Sequence, residues 1–458
     1  MSLPRYRSYK GSRVEWLDDV PETWTISRLG FESWVRARLG WKGLKAEEYV
    51  DDGYVLLATP NIKGSRIDFE NVNYINEFRY EESPEIKLRV GDVLLAKDGS
   101  TLGTVNLVRS LPRPATVNSS IAVITSHTTL SGSYLYYLFQ SSYMEHTIRR
   151  IKGGMGVPHL FQEDLNKFYI PLPLIGEQQS IATFLDLETE KIDALIVDQQ
   201  QLIELLKEKR QAVISHAVSK GLNPAASMKD SGIEWMGMVP EHWEIKPLKY
   251  IASLKGRLGW QGLRSDEYTE DGPFLVTSEH FTNDRIDWPR CYHVSPDRYA
   301  IAPEIQLQEG DLLMMKDGAA MGKLAYVDNL PGAACLNSHL LLFRPLRGRF
   351  ENRFLYYVLG GPEFRTYMVR ERTGTTFFGI SQESIGTFPF ACPPITEQRE
   401  ILEFLSRETS KLDSLTAEAE SAIALLQERR TALISAAVTG KIDVRGLVEA
   451  HLEEVAAK

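Results

Sequence analysis

Residues 177–221 read EQQSIATFLDLETEKIDALIVDQQQLIELLKEKRQAVISHAVSKG and determine the architecture of this chain. Every seventh position is apolar except one glutamine, and Leu195 and Leu202 are predicted to fill the second apolar position of the heptads. Sustained seven-residue spacing is typical of coiled-coil helices, and roughly 40 residues at 1.5 Å each predict a rod of about 60 Å. The predicted core positions are Leu185, Ile192, Gln199, Leu206 and Val213.

The same heptads return 220 residues later, in residues 397–441, with Leu415 and Ala422 at the second position. Two such helices in one chain are natural partners, but the heptads alone do not decide whether they run parallel or antiparallel. A buried amide can fix helix register, so Gln199 either has that role or is partly exposed. The core positions of the second helix are Leu405, Leu412, Ala419, Leu426 and Leu433.

The rest of the chain is duplicated too. The segment Val20–Trp24 returns as Val239–Trp243, and Gly91–Gly103 returns as Gly310–Gly322, both 219 residues later. A period this long indicates a duplicated domain and not a solenoid. Prolines end each β-rich part because proline does not fit a helix interior. The predicted domains are β-rich 1–175, helix 176–221, β-rich 222–395, helix 396–443 and a tail at 444–458.

Composition indicates a globular protein outside the membrane. The chain has 458 residues, a net charge of −9 and 43% hydrophobic residues, with no apolar run of the roughly 20 residues that a membrane helix needs. No secretory signal is recognisable at the start. The spacing of Cys291, Cys335 and Cys392 suits neither a disulfide framework nor a zinc site. We expect a reducing cytoplasm and no bound metal.

No arrangement of residues typical of catalysis is recognisable. The segment Gly318–Leu324 resembles a phosphate-binding loop but is one residue short between its glycines and lacks the hydroxyl residue after the lysine. The histidines have no spacing typical of a metal site, and no Gly-x-Ser-x-Gly elbow occurs. The sequence therefore favours a binding protein over an enzyme.

The glycine-containing loops are the predicted contact surfaces. Strand-like residues 93–96 and 105–108 flank the loop Lys97–Gly103, which predicts a hairpin tip, and Lys316–Gly322 repeats it. Basic loops are predicted at Arg149–Gly156 and Arg370–Thr376. These loops, and basic clusters around Arg36, Arg38 and Arg344, could face phosphates or be solvated surface.

Three repeated motifs and one central segment together resemble a known family. They are the Val-Pro-Glu-x-Trp openings, the Glu-Gln pairs at 177–178 and 397–398, the Lys-Ile/Leu-Asp segments at 191–193 and 411–413, and the central opening Asp230–Trp235. Nearly the whole chain resembles the specificity (S) subunit of type I restriction-modification systems, the HsdS family.

The resemblance implies an α+β fold. It has two tandem β-rich target recognition domains and two long helices that form an intramolecular antiparallel coiled coil with pseudo-twofold symmetry. It also implies a noncatalytic subunit that reads a bipartite, asymmetric site in double-stranded DNA. The partners implied are two adenine-methylating M subunits and motor-nuclease R subunits, with no membrane. S-adenosylmethionine and ATP would belong to those partners, and this chain would hold no cofactor.

Side chains at base edges read sequence, whereas phosphate contacts position the protein. Trp41 and Trp260 could anchor a core or wedge into DNA, and Asn118 and Asn337 could bond bases or cap turns. Asp98 and Asp317 are expected to shape their turns. The candidate DNA-binding residues are Lys42, Lys97, Ser100, Thr101 and Lys152 in the first copy and Gln261, Lys316, Arg372, Thr373 and Thr375 in the second.

Two other functions fit the same sequence. One is a coiled-coil scaffold whose β-rich domains bind protein or carbohydrate. The other is the DNA-binding subunit of a two-component methyltransferase that has no nuclease. Sequence-dependent DNA retention separates the first from DNA reading, and a neighbouring gene for a helicase-like nuclease separates the second from a full restriction system.

Overall fold

A computed structural model describes residues 3–38, 45–151, 159–257, 263–282, 284–346, 350–373 and 378–447. The chain divides into two compact units, which are unit 1 (1–200 with 420–458) and unit 2 (201–419). Each unit contains one β-rich domain and a part of each long helix. The predicted domain limits, which treat each helix as a separate element, stay a prediction. Within the described ranges, no helix is both long and apolar enough to cross a membrane.

Unit 1 is built on two four-stranded sheets. One is antiparallel, in the order 33–37, 121–126, 93–96 and 105–107, and the other pairs strand 115–117 in parallel with 54–57 before 73–75 and 49–50. Its strands are Tyr9–Gly11, Asp19–Pro21, Thr25–Arg28, Ser33–Ala37, Tyr49–Val50, Tyr54–Leu57, Asn73–Ile75, Val93–Ala96, Val105–Leu107, Ala115–Val117, Ile121–Ser126 and Tyr169–Leu172. Its short helices are Leu29–Glu32, Glu77–Glu81, Gly132–Phe139, Ser142–Ile151 and Gln162–Asn166.

Unit 2 repeats this plan with a longer first sheet. Six strands follow the order 252–256, 340–345, 312–315, 324–326, 285–286 and 281–282, and a three-stranded sheet has the order 292–294, 268–276 and 334–336. Its strands are Met228–Asp230, Met238–Pro240, Glu244–Pro247, Ala252–Gly256, Tyr268–Val276, Phe281–Thr282, Arg285–Ile286, Tyr292–Val294, Leu312–Met315, Leu324–Tyr326, Ala334–Leu336, Leu340–Pro345 and Pro389–Cys392. Its short helices are Pro296–Ala300, Asn352–Leu359, Pro362–Glu371 and Gln382–Thr387.

The strand before each hairpin tip lies between two hydrophobic cores. Val93 and Leu95 pack into one core of unit 1, and Leu94 and Ala96 pack into another. Because successive side chains point to opposite faces of a strand, a strand buried on both faces reads as a continuous apolar run. This burial fixes the place from which the hairpin tip starts.

The first long helix spans Ile175–Lys220 and the second spans Ile395–Val438. Each helix begins within two residues of the prolines that were predicted to end the β-rich part. Gly221 and Gly440 follow with φ angles of 75° and 76°, a backbone conformation in which glycine commonly ends a helix.

Each unit by itself shows that the helices are antiparallel. In unit 1, Leu185 shares a core with Val438. Further along the same helix, Asp193 binds Arg430 at 2.9 Å. In unit 2, Arg210 lies 3.3 Å from Asp413, and Ile214 shares a core with Leu405. Partner numbers fall as residue numbers rise, so the direction that the heptads left open is antiparallel.

The prediction for the second apolar position of the heptads in the long helices is wrong. The second-position leucines Leu195, Leu202 and Leu415 are exposed by 48%, 41% and 46%. Thr189 and Ile203 are buried instead, each one residue after the predicted heptad position. Leu202 and Ile203 are both apolar, so the sequence permits either of two neighbouring stripes there. Of the predicted core positions, Leu185, Ile192, Leu206, Leu405, Leu412 and Ala419 are buried, and Gln199, Val213, Leu426 and Leu433 are partly exposed.

The most faithfully repeated motifs join each β-rich domain to its helices. The indole N–H of Trp24 donates to Glu177 at 3.0 Å, and Trp243 donates to Glu397 at 3.0 Å. Gly440 packs so closely on Trp24 that an added Cβ would lie 3.2 Å from the indole ring. These motifs are therefore structural, and a ligand-binding surface has to be sought elsewhere.

Candidate nucleic-acid interface

The hairpin tip of unit 1 is held on both sides by backbone hydrogen bonds. Strands Val93–Ala96 and Val105–Leu107 are antiparallel, as predicted, and the tip lies between them. The Lys97 N–H donates to the Ser120 carbonyl at 2.9 Å, and the Leu160 N–H donates to the Lys97 carbonyl at 2.9 Å. The tip therefore starts from a fixed position between the turn at 118–120 and the segment at 159–160.

Unit 2 holds its tip in the same way. Strands Leu312–Met315 and Leu324–Tyr326 pair antiparallel. The Lys316 N–H donates to the His339 carbonyl at 3.0 Å, and the Ile380 N–H donates to the Lys316 carbonyl at 2.9 Å. Both β-rich domains thus present a clamped hairpin tip.

The predicted side chains of the first tip differ in accessibility. Lys97 is exposed by only 12% and lies 3.6 Å from the Asp98 carboxylate, so most of this side chain is enclosed. Ser100 is exposed, and Thr101 is partly exposed with its hydroxyl donating to the Asp98 carbonyl at 3.3 Å. Ser100 is therefore the most accessible of the three candidates.

In unit 2, Lys316 is partly exposed. Arg372 is exposed, and its guanidinium lies 4.2 Å from the centre of the Phe378 ring, in a cation–π contact that orients it. Thr373 is exposed and its N–H donates to the Gly379 carbonyl at 2.9 Å. Backbone pairing therefore brings Arg372 and Thr373 beside the hairpin tip.

Several candidates lie outside the described residues. They are Trp41, Lys42, Lys152, Trp260, Gln261 and Thr375.

The predicted basic loops begin later than expected. Arg149 and Arg150 lie in the helix Ser142–Ile151, and Arg370 lies in the helix Pro362–Glu371. Both helices place buried side chains on one face and these arginines on the other. The loop prediction relied on the nearby glycines and overlooked this helical periodicity.

Part of the predicted basic surface is interior. Arg36 is 4% exposed and lies 3.2 Å from Asp92. The equivalent aspartate of unit 2, Asp311, binds Arg344 at 2.7 Å, but this arginine comes from a different strand and is 29% exposed. Arg38, like Arg36, is 4% exposed, and burial lowers the pKa of its guanidinium. Arg36 and Arg38 are not positioned for phosphate contact because they are buried, whereas Arg344 is only partly enclosed and is held by Asp311.

The turn and tip residues have specific hydrogen-bond roles. The side-chain oxygens of Asn118 and Asn337 accept the N–H groups of Ser120 and His339 at 3.1 and 3.2 Å, which supports turn capping. The carboxylates of Asp98 and Asp317 instead bind His159 and His339. The prediction that the aspartates shape the turn missed these histidines, which no local sequence signal indicated.

Each unit also exposes apolar side chains on its part of the long helices. In unit 1 these are Leu195, Val197 and Leu425, and in unit 2 they are Leu202, Leu205 and Leu415. Leu205 and Leu425 are each 62% exposed and are equivalent positions of the repeat. Each unit thus exposes three large apolar side chains on its part of the long helices, and we call each set the apolar helix surface of its unit.

The three cysteines are free thiols, two of them buried and one partly exposed. Burial raises the pKa of Cys291 to about 12 and of Cys392 to about 11, so both remain thiols near neutral pH. Among the described residues, no group of three or more His, Cys, Asp or Glu side chains is placed to hold a metal ion.

The fold and these surfaces define a class of protein, a duplicated two-domain recognition protein built on antiparallel helices. The sequence model of the type I restriction modification DNA specificity domain matches residues 42–205 and 240–423. The chain belongs to this family, as its motifs indicated.

Two curated relatives match along almost their whole length. The chain is 22% identical over 432 residues to the MjaVIII specificity subunit of Methanocaldococcus jannaschii, covering 93% of this chain and 95% of that protein. It is 21% identical over 444 residues to the EcoKI specificity subunit of Escherichia coli K12, covering 94% and 91%. Both relatives are type I restriction enzyme specificity subunits.

Solved structures share the fold. A chain from a study of complex assembly and conformational transition of the type I R-M system matches with a TM-score of 0.70 and 18% identity, covering 92% of this chain and 98% of that one. The HsdS subunit from Thermoanaerobacter tengcongensis matches with a TM-score of 0.53 and 19% identity, with the same coverage.

Proposed function

We propose that this chain is the DNA-reading subunit of a type I restriction-modification complex and that it performs no catalysis itself. Each β-rich domain reads one half of a bipartite, asymmetric site in double-stranded DNA. The observation that carries this proposal is the same clamped hairpin tip in both units, each within a segment that matches the specificity domain. Side chains on a fixed backbone can distinguish base edges because their donors and acceptors have defined positions.

Two M subunits are the proposed partners on the helices. The apolar helix surface occurs once in each unit, so a partner that binds it would bind twice. In this proposal the M subunits methylate adenine and bind S-adenosylmethionine, and R subunits supply ATP-driven cleavage. The chain itself binds no cofactor. Its net charge of −9 fits a complex in which the partners supply much of the positive charge around DNA.

The two half-sites are proposed to be related when each is read in the frame of its own domain. Both tips share the Lys-Asp-Gly sequence and the same backbone clamp. They are not identical, because Ser100 and Thr101 are replaced by Ala319 and Ala320.

Mapping of modified bases tests the DNA-reading role. Genomic DNA from cells that express this chain with its M subunit is sequenced by a long-read method that detects methylated adenine. We expect modification in a motif of two short blocks at a fixed separation, and no modification with M alone. Modified adenines without a shared motif would refute sequence reading, and two unrelated blocks would refute the relation between half-sites.

Aspartate substitutions test the apolar helix surface. Leu195→Asp with Leu425→Asp changes unit 1, and Leu205→Asp with Leu415→Asp changes unit 2. We expect each double variant to lose one M subunit, as measured by light scattering of the purified complex. Phe78→Asp is the control, because Phe78 is 71% exposed and lies in a different helix, Glu77–Glu81. Retention of both M subunits by both double variants contradicts this assignment.

Addition of the R subunit tests the role in cleavage. Unmodified DNA that carries the mapped motif is incubated with ATP and the purified complex, with and without R. We expect cleavage only with R. If the R subunit does not bind the complex, the chain serves a methyltransferase without a nuclease.

A further inference from the structure

The aspartate of each hairpin tip binds a histidine, but the histidine comes from a different flank of the tip in each unit. In unit 1, the Asp98 carboxylate binds Nδ1 of His159. In unit 2, the Asp317 carboxylate binds Nδ1 of His339 at 2.7 Å. These histidines are not equivalent positions of the repeat.

The first flank is the turn before the last strand of the first sheet. The Lys97 N–H donates to the Ser120 carbonyl, and the Lys316 N–H donates to the His339 carbonyl. Ser120 and His339 therefore occupy the same backbone position. Unit 1 has a small hydroxyl residue where unit 2 has the imidazole.

The second flank is the segment that pairs with the aspartate itself. Asp98 forms an antiparallel bridge with His159, and Asp317 forms the same bridge with Gly379. Gly379 therefore occupies the position of His159. A Cβ at Gly379 would lie 3.3 Å from the Cβ of Asp317, so this position faces the aspartate in unit 2 as well.

The histidine and the small residue therefore occupy opposite flanks in the two units. A histidine on one side of the aspartate goes with a small residue on the other, as serine in unit 1 and as glycine in unit 2. The aspartate keeps one imidazole partner in both arrangements, but the imidazole is on the opposite side.

Closure of the tip does not by itself account for this exchange. Backbone hydrogen bonds hold the lysine on both flanks in both units, whichever flank supplies the histidine. The imidazoles are also accessible, with His159 exposed by 31% and His339 by 51%. A group that is held by a carboxylate and reaches solvent is suited to contact a ligand.

We infer that the aspartate-bound imidazole is a base-reading element, and that its flank sets which base position each domain reads. This inference rests on the proposed DNA-reading function. When Nδ1–H donates to the carboxylate, Nε2 of a neutral imidazole is an acceptor. Such an acceptor is complementary to the major-groove amino groups of adenine and cytosine.

The test moves the histidine of unit 1 to the other flank. The double variant Ser120→His with His159→Gly copies the arrangement of unit 2, and it is expressed in full length with the M subunit. We expect methylated adenines in a motif whose unit 1 half is changed or relaxed at one position, with the unit 2 half unchanged. His146→Ser is the control, because His146 is an exposed histidine stacked on Trp16 and not at the tip.

The reciprocal variant, His339→Ser with Gly379→His, is measured in parallel and should change only the unit 2 half. It also covers the case in which the first variant does not fold, as checked by thermal unfolding. An unchanged motif in a folded variant overturns the inference. A uniform decrease in methylation with no newly accepted base also overturns it, because that result assigns the histidines a structural role. If the unaltered chain directs no motif, the proposed function itself fails.

Discussion

In each unit a tryptophan–glutamate hydrogen bond joins the β-rich domain to the long helices, and we call this contact region the joint. The two joints differ in how well the glutamate is enclosed. In unit 1, Glu177 is 8% exposed and accepts hydrogen bonds from Trp24 and from the Tyr6 hydroxyl at 2.7 Å. In unit 2, Glu397 is 22% exposed and binds Trp243 and the half-exposed His242. The tryptophan–glutamate pair is the shared part, and its surroundings determine how much each joint contributes to stability.

The tryptophans should have the largest effect. Trp24→Ala and Trp243→Ala each remove a fully buried indole, and such truncations cost about 3–5 kcal/mol. We expect both variants to unfold at clearly lower urea concentration, with faster hydrogen exchange confined to the affected unit in mass spectrometry. Trp16→Ala is the control, since this indole is 56% exposed. Equal exchange in both units would mean that the joints do not act separately.

Replacing the glutamates should distinguish the two joints. Glu177→Leu leaves the Trp24 and Tyr6 donors without their acceptor in a buried site, and an unsatisfied buried donor costs about 1–3 kcal/mol. Glu397→Leu should lower the free energy of unfolding by less, because the half-exposed His242 can bind water instead. The urea midpoints of the two variants measure the difference. A larger loss for Glu397→Leu would show that exposure does not govern these joints.

The helix ion pairs should have a smaller effect. Arg430 contacts Asp193 and also donates to the side chain of Gln140 at 3.0 Å, whereas the described contact of Arg210 with a carboxylate is the single one to Asp413 at 3.3 Å. We expect Arg430→Met to cost about 1–2 kcal/mol and Arg210→Met less than about 1 kcal/mol, as for exposed pairs. Thermal unfolding at low and high salt measures both. If Arg210→Met proves the costlier, the extra bond to Gln140 is not the cause.

Thiol reactivity gives the mildest test and reports on unit 2 alone, because all three cysteines lie there. Burial raises the pKa of Cys392 from 9.0 to about 11, which lowers the thiolate fraction near pH 8 by about 100-fold. Alkylation by iodoacetamide should therefore be slow in the native chain and fast in urea. The Glu397→Leu variant should react sooner on denaturation than Glu177→Leu, and the opposite order would contradict separate joints.

Local periodicity predicted the elements well but not the choice between neighbouring apolar stripes. Leu195 and Ile196 are adjacent and both apolar, so the sequence allows either to face the partner helix. The structure exposes Leu195 because the buried seam follows the Thr189 and Ile203 positions instead. The heptads likewise left the helix direction open, and the family resemblance implied an antiparallel pair. The contacts of Asp193 with Arg430, and separately of Arg210 with Asp413, confirm that implication.

The candidate site was predictable only in part. Glycine-bounded loops between apolar strands located both hairpin tips, because turn chemistry is local. The histidines at the tips were missed because His159 is 61 residues from Asp98, and His339 is 22 residues from Asp317. Sequence separation of this kind carries no local signal.

The sequence by itself determined the duplication, the two long helices, the hairpin tips and the family, because each depends on a repeat or on the order of neighbouring residues. Tertiary structure decided which residues pair the helices, the exposed leucines, the interior position of Arg36 and Arg38, and the flank that supplies each histidine. These features depend on which distant segments share a core, and burial and charge pairing between such segments fix the choice.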